Sequence, residues 1–199
     1  MNLKNNNRKE VLVRIAYNMF LSKGYENTSV DKIIEEAKIA KGTFYYYFES
    51  KEQLLEEVLR LMLENQSKQA EEILNSNISI PEKIVGIILS YTPGEKENAI
   101  KDTLHNNENI VLHQKLNKEL IERMIPILAE VVKDGNELGI FNCDNIPERM
   151  KSILILSSSL FDDNKKFSKN DIAVFIDIVE KTLGAKSGTM DFINKIIER

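Results

Sequence analysis

The sequence predicts an all-α chain. Glycine and proline number only 8 and 4 in 199 residues, and no long run alternates apolar and polar residues with period two. Apolar residues instead return at i, i+3, i+4 and i+7, the mark of half-buried helices. They make up 42% of the chain, against 29% charged, so a core can form.

The first helix is expected from Arg8 to Lys23, after a polar, asparagine-rich arm through Asn5–Asn7. Its apolar stripe is Val11, Leu12, Ile15, Ala16, Met19 and Phe20. Gly24 suits the left-handed residue that ends a helix. Thr28 and Asp31 stand in capping-box relation before a short helix, Val30 to Ala37, whose stripe is Val30, Ile33, Ile34 and Ala37. Lys38-Ile39-Ala40 turns the chain into a second short helix, Lys41 to Phe48. Ser50 and Gln53 form a further capping box, opening a long fourth helix from Lys51 to about Asn75. Beyond it the pattern predicts helices over Pro81–Tyr91, Glu97–Asn106, Ile110–Leu138 with a kink or split at Pro126, Pro147–Phe161, Lys169–Leu183 and Met190–Arg199. Ser168 with Asp171 caps the helix at Lys169.

The helix at Lys41 carries the chemistry. At 100° per residue Phe44 and Phe48 share one face and can bury. Tyr46 points away from them, Gly42 and Thr43 share its side, and Tyr45 and Tyr47 flank it. Adjacent aromatics on a wet face imply a partner. A phenol suits a DNA backbone, donating to phosphate while its ring packs on sugar or on a thymine methyl. Lys41 and Lys51 add positive charge at two helix N-termini. The net charge of −4 argues against nucleic acid only at first sight. Residues 1–51 carry 9 Lys+Arg against 6 Asp+Glu, a balance of +3, and the remainder carries −7. A basic head on an acidic body suits a DNA-binder with a second function.

These residues resemble the TetR (tetracycline repressor) family of bacterial transcriptional regulators. The likeness rests on Phe20-x-x-x-Gly24-Tyr25, Thr28-Ser29-Val30, Ile33, Ala37, Gly42-Thr43-Phe44-Tyr45-Tyr46-Tyr47-Phe48 and Lys51-x-x-Leu54-Leu55, within Arg8 to Leu63. One departure is Lys38, where many members carry glycine before the apolar residue of the turn. The resemblance implies a three-helix helix-turn-helix DNA-binding domain over residues 1–51. A long fourth helix then joins it to a helical effector-binding and dimerisation domain over 52–199. It implies major-groove entry with Gly42, Tyr45 and Tyr46 nearest the bases. Thr28, Ser29, Thr43, Tyr47 and Lys51 would anchor phosphates, with Lys41 adding charge. The expected partners are a palindromic double-stranded operator, a second copy of the chain and a small-molecule effector.

The two last major helices are apolar on more than one side, which calls for cover on more than one side. The family pairs these helices in a four-helix bundle, so Ile153, Leu154, Ser157, Leu160, Ile172, Phe175, Ile176 and Val179 are expected at a dimer interface. An effector pocket is implied between the fourth helix and the helix after Asn107. Met62, Tyr91, Leu104, His105, Leu112, His113, Met124 and Phe161 are the residues offered for it, and each suits ordinary packing equally well.

Other functions find little support. His105 and His113 are eight apart with no CxxC, so no metal is expected. No P-loop, GxGxxG after a strand, or GxSxG is present, so neither a cofactor nor catalysis is expected. No apolar run approaches the ~20 residues of a membrane span. No signal region opens the chain, and Cys143 is the single cysteine, so a reducing cytoplasm is the expected location. Two rivals remain open: a constitutive DNA-binder without effector, and a helical enzyme.

Overall fold

The computed structural model describes residues 3–92, 94, 97, 98, 100, 103, 110–161 and 167–194, with backbone alone at 3–7 and 110. The described residues are helical with no strand. The helices are α1 (Leu3–Lys23), α2 (Val30–Ala37), α3 (Lys41–Tyr47), α4 (Lys51–Leu74), α5 (Ile80–Ser90), α6 (Ile110–Glu137), α7 (Ile146–Leu160) and α8 (Lys169–Leu183), then a short 3-10 turn at Asp191–Ile193. The expected Glu97–Asn106 helix and the end of the Met190–Arg199 helix fall mostly outside the described residues.

The chain divides into two compact units. The first holds Met1–Asn65 with Pro93–Asn117, and the second holds Gln66–Thr92 with Lys118–Arg199. α4 and α6 each contribute to both. The first unit closes around Leu12, Ala16, Phe20, Ile33, Phe44, Phe48, Leu54, Leu55 and Val58. Ile100 and Leu116 join that cluster. Tyr17 Oη donates to Glu97 Oε1 at 2.6 Å in the same unit. Burial, aided by that carboxylate, pushes the Tyr17 phenol up to about 12. The second unit closes around Ile84, Ile87, Val131, Val132, Phe141, Ile172, Phe175, Val179 and Leu183.

Several local expectations are revised. α1 begins at Leu3, so the backbone of the asparagine-rich arm is helical rather than irregular. Pro126 does not split α6, which runs on through it. Pro126 and Glu122 are both exposed, so the Glu122 carbonyl that loses its donor can meet water. The cap of α2 is Ser29, not Thr28: the Ser29 hydroxyl accepts from Lys32 N. At α4, Ser50 Oγ accepts from Gln53 N as expected. The Gln53 side chain instead accepts from Glu49 N, at 2.6 Å. The Ser168–Asp171 box is complete, and α5 carries another, Ser79–Glu82.

Candidate nucleic-acid interface

α2 and α3 form the two-helix unit of the head. Lys38 makes the turn in the left-handed conformation, φ 52 and ψ 45. A non-glycine residue pays about 1–2 kcal/mol there. The turn holds because both ends are tied: Lys38 N donates to Glu35 O and Ile39 N to Ile34 O. α3 then starts at Lys41, and Thr43 N donates to Ala40 O at 2.8 Å.

α3 presents two faces of opposite character. Phe44 and Phe48 are buried, and their rings pack 5.7 Å apart. Tyr46 stands 71% exposed and meets Tyr47 edge-on at 4.9 Å. Tyr45 is exposed and leans edge-on against Phe44 at 5.3 Å. Lys41, Gly42 and Ser29 are exposed, while Thr43 and Tyr47 are half-buried. A Cβ on Gly42 would meet nothing within 4 Å, and its φ is not positive. Nothing inside the chain therefore requires glycine there, although glycine costs a helix roughly 0.5–1 kcal/mol against alanine.

Three predicted contact residues have internal partners that the sequence did not suggest. Thr28 is fully buried and its hydroxyl donates to Gly24 O at 2.8 Å. Its side chain is thus a brace under the loop before α2, and the expected phosphate contact through that hydroxyl is withdrawn. Lys51 Nζ donates to Tyr25 O at 3.1 Å and sits 3.9 Å from the centre of the Tyr25 ring. It fastens α4 to the Tyr25 loop, leaving part of its donor capacity for a phosphate. Lys41 pairs with Asp31 at 3.1 Å across the two short helices, and that carboxylate raises the Lys41 ammonium.

The expected dimer set also needs correction. Ile153, Leu154, Ile172, Phe175, Ile176 and Val179 are buried in the second unit's own core, and Ser157 and Leu160 are half-buried. The large apolar side chains left outward on α7 and α8 are Ile155, Val174 (58% exposed) and Ile178. The pocket set divides. Met62 and Leu112 belong to the first unit's core. Tyr91, Met124 and Phe161 belong to the second's. His113 is half-buried in α6, and Leu104 and His105 lie outside the described residues. Among the described residues no cluster of three or more His, Cys, Asp or Glu could hold a metal. None of their helices is long and apolar enough to cross a membrane.

A head of this kind, with an aromatic helix turned outward behind a tight two-helix turn, defines a helix-turn-helix regulator. The sequence pattern of the bacterial regulatory proteins of the tetR family matches residues 12–58. That of the tetracyclin repressor-like C-terminal domain matches residues 95–182. The HTH-type transcriptional repressor KstR2 of Mycolicibacterium smegmatis is 30% identical over 65% of this chain and 67% of its own. The fatty acid metabolism regulator protein of Bacillus subtilis is 27% identical over 64% and 68%. Among solved structures, RolR in complex with resorcinol superposes with a TM-score of 0.64 at 17% identity, over 98% of this chain and 95% of that one. A transcriptional regulator from Cytophaga hutchinsonii gives 0.60 at 19%, over 88% and 94%. The chain belongs to the TetR family of DNA-binding transcriptional regulators. That family consists of regulators rather than enzymes, and many of its members are repressors.

Proposed function

We propose that the chain is a cytoplasmic repressor that binds a palindromic operator as a homodimer and leaves it when a small-molecule effector binds. The outward face of α3 carries the reading, since Tyr45 and Tyr46 are exposed while the phenylalanines of the same helix fill the core. Gly42, Tyr45 and Tyr46 face the bases in the major groove. Ser29, Thr43, Tyr47 and the spare donors of Lys41 and Lys51 hold phosphates. Residues 1–51 do the DNA-binding, and 52–199 supply effector binding and dimerisation. α4 belongs to both compact units, so an effector that biases its position changes the spacing of two heads that must engage together. Selection of bound duplexes from random sequence tests this. A two-fold symmetric product supports it, and recovery of no preferred sequence sinks it.

Gly42 offers a finer check. Gly42→Ala is expected to stabilise the fold by about 0.5–1 kcal/mol, raising Tm by about 2–4 °C per kcal/mol, while weakening operator binding. A methyl that leaves affinity unchanged in a gel-shift titration would show that no close approach occurs at α3.

The dimer face of this proposal is the outward one, through Ile155, Val174 and Ile178 of α7 and α8. Val174→Glu with Ile178→Glu would bury like charges about a two-fold axis. The expected result in sedimentation is a monomer whose helical content is unchanged. A dimer that persists with native affinity would place the interface elsewhere. A constitutive regulator without effector shares everything here except ligand release, and ligand-induced loss of operator binding separates the two.

A further inference from the structure

The capping box expected of Thr28 with Asp31 does not form. Ser29 caps α2, and Thr28 N donates to Tyr25 O at 3.1 Å. The Asp31 carboxylate turns instead to α3, where Lys41 Nζ donates to its Oδ1 at 3.1 Å. Both side chains stand in solvent, Lys41 at 63% and Asp31 at 76% exposed. An exposed pair of this kind adds little to a fold, so stability gives no reason for a carboxylate at this place. Tyr45 acts electrostatically on the same ammonium. Asp31, Lys41 and one of the outward phenols of α3 therefore lie together.

Phosphate binding alone rewards positive charge. Yet residues 28–51 hold four lysines against four acidic residues, so the stretch that meets DNA carries no net charge. An ionised carboxylate accepts hydrogen bonds and donates none, so phosphate oxygens offer it nothing but repulsion. In the major groove guanine shows the acceptors N7 and O6, and thymine shows the acceptor O4 and a methyl. Only the exocyclic amino groups, cytosine N4 and adenine N6, can donate to Asp31. Adenine N6 stands beside the acceptor N7, which repels a second carboxylate oxygen, whereas cytosine presents its amino group alone. Lys41 spends one donor on Asp31 and keeps others for a phosphate. The carboxylate thus enters the groove with its own counter-charge.

We propose that Asp31 is a base-reading residue of the head. Its carboxylate, held beside Lys41, accepts from cytosine N4 at one position of each half-site and rejects guanine and thymine there. This rests on the reading that places α3 in the major groove, and it adds to that reading a base identity and a residue of α2.

The test compares the full-length protein with its Asp31→Ala and Asp31→Asn variants. Bound duplexes are selected from random sequence for each, and gel-shift titrations then give Kd. The unaltered protein is expected to select cytosine at one position, repeated by the two-fold symmetry. Replacing that C·G pair in both half-sites should weaken its binding about a hundredfold, about tenfold per half-site. The same replacement should change Asp31→Ala binding by less than about threefold. Asp31→Asn should move the preference to adenine, because an amide pairs with N6 and N7 together. Both variants are expected to melt with the unaltered protein, since the pair is exposed. The proposal is overturned if all three proteins select the same bases at every position of a symmetric operator, and the groove reading then stands without it. It is overturned equally if Asp31→Ala tightens binding to every duplex by one common factor, which would make the carboxylate a competitor for phosphate only. If the unaltered protein selects no sequence at all, the groove reading falls and this proposal falls with it.

Discussion

Tyr46→Ala is expected to abolish operator binding at working concentrations while leaving the protein folded. A contact at a base or its backbone contributes about 1–3 kcal/mol per half-site. Both heads of a dimer lose it together, so the total is about 2–6 kcal/mol, or roughly thirty-fold to twenty-thousand-fold in Kd. The fold should register the change little, because Tyr46 is 71% exposed, with its ring edge-on to that of Tyr47. Surface changes of this kind stay within about 0.5 kcal/mol. Salt dependence separates it from a charge contact. Tyr46→Ala should lower affinity at every salt concentration and keep the slope of log K against log salt. Lys41→Ala should lower that slope by about one per head. Unchanged affinity in Tyr46→Ala would take α3 out of the groove.

The head was legible in the sequence because one helix there carries two incompatible demands. Phe44 and Phe48 fall four apart and claim the inward side, so the tyrosines between and beside them have only the outward side left. The structure buries the first pair and exposes Tyr45 and Tyr46. Caps were less legible. Thr28 and Ser29 are both good N-cap residues, and the sequence alone does not say which hydroxyl reaches the first free N–H. The chain gives that role to Ser29 because Thr28 is buried against Gly24 O. The missed Ser79–Glu82 box needed no structure: Ser-x-x-Glu before an apolar run is its signature.

The outward face of α7 and α8 was hard to read for a different reason. On α8 the residues Ile172, Phe175, Ile176, Val179 and Leu183 form one ordinary inward stripe. The sequence reading assigned part of that stripe to a partner. The true outward residues, Val174 and Ile178, alternate with Asp177 and Lys181, so they add little to any count of apolar residues. Phase relative to the protomer's own core decides which stripe is free, and phase is set by tertiary packing. The participation of Ile100 and Leu116 in the head's cluster is of the same kind. Leu116 lies on an apolar stripe with Leu112 and Leu120, but no local pattern tells which distant residues such a stripe meets.

Gly184→Ala is expected to be the most destabilising single substitution in the second unit. Gly184 ends α8 in the left-handed conformation, φ 63 and ψ 30, with Ala185 N donating to Glu180 O at 2.8 Å. A Cβ there would stand 2.2 Å from Asn142 O and 2.9 Å from Asn142 C. Those are backbone atoms, and Asn142 N is itself bonded to Leu183 O at 3.0 Å. The loop is further fixed by Arg149, which donates to Asp144 O and to Thr182 O. Moving it pulls on α8, and moving α8 pulls on the following segment. That segment buries Met190 and Ile193 and is held by Glu180 Oε1 accepting from Met190 N at 2.9 Å. The left-handed conformation alone costs alanine about 1–2 kcal/mol. With the backbone collision the sum is about 3–5 kcal/mol, a fall in Tm on the order of 10 °C. Gly139→Ala is the control. Gly139 has φ 71, yet a Cβ there meets nothing within 4 Å, so only the conformational cost of about 1–2 kcal/mol applies. Thermal unfolding of the two variants side by side isolates the collision. If Gly184→Ala melts no lower than Gly139→Ala, the end of α8 does not dock on Asn142. If it melts far lower while binding operator normally in the cold, the damage is confined to the body and the head folds on its own core.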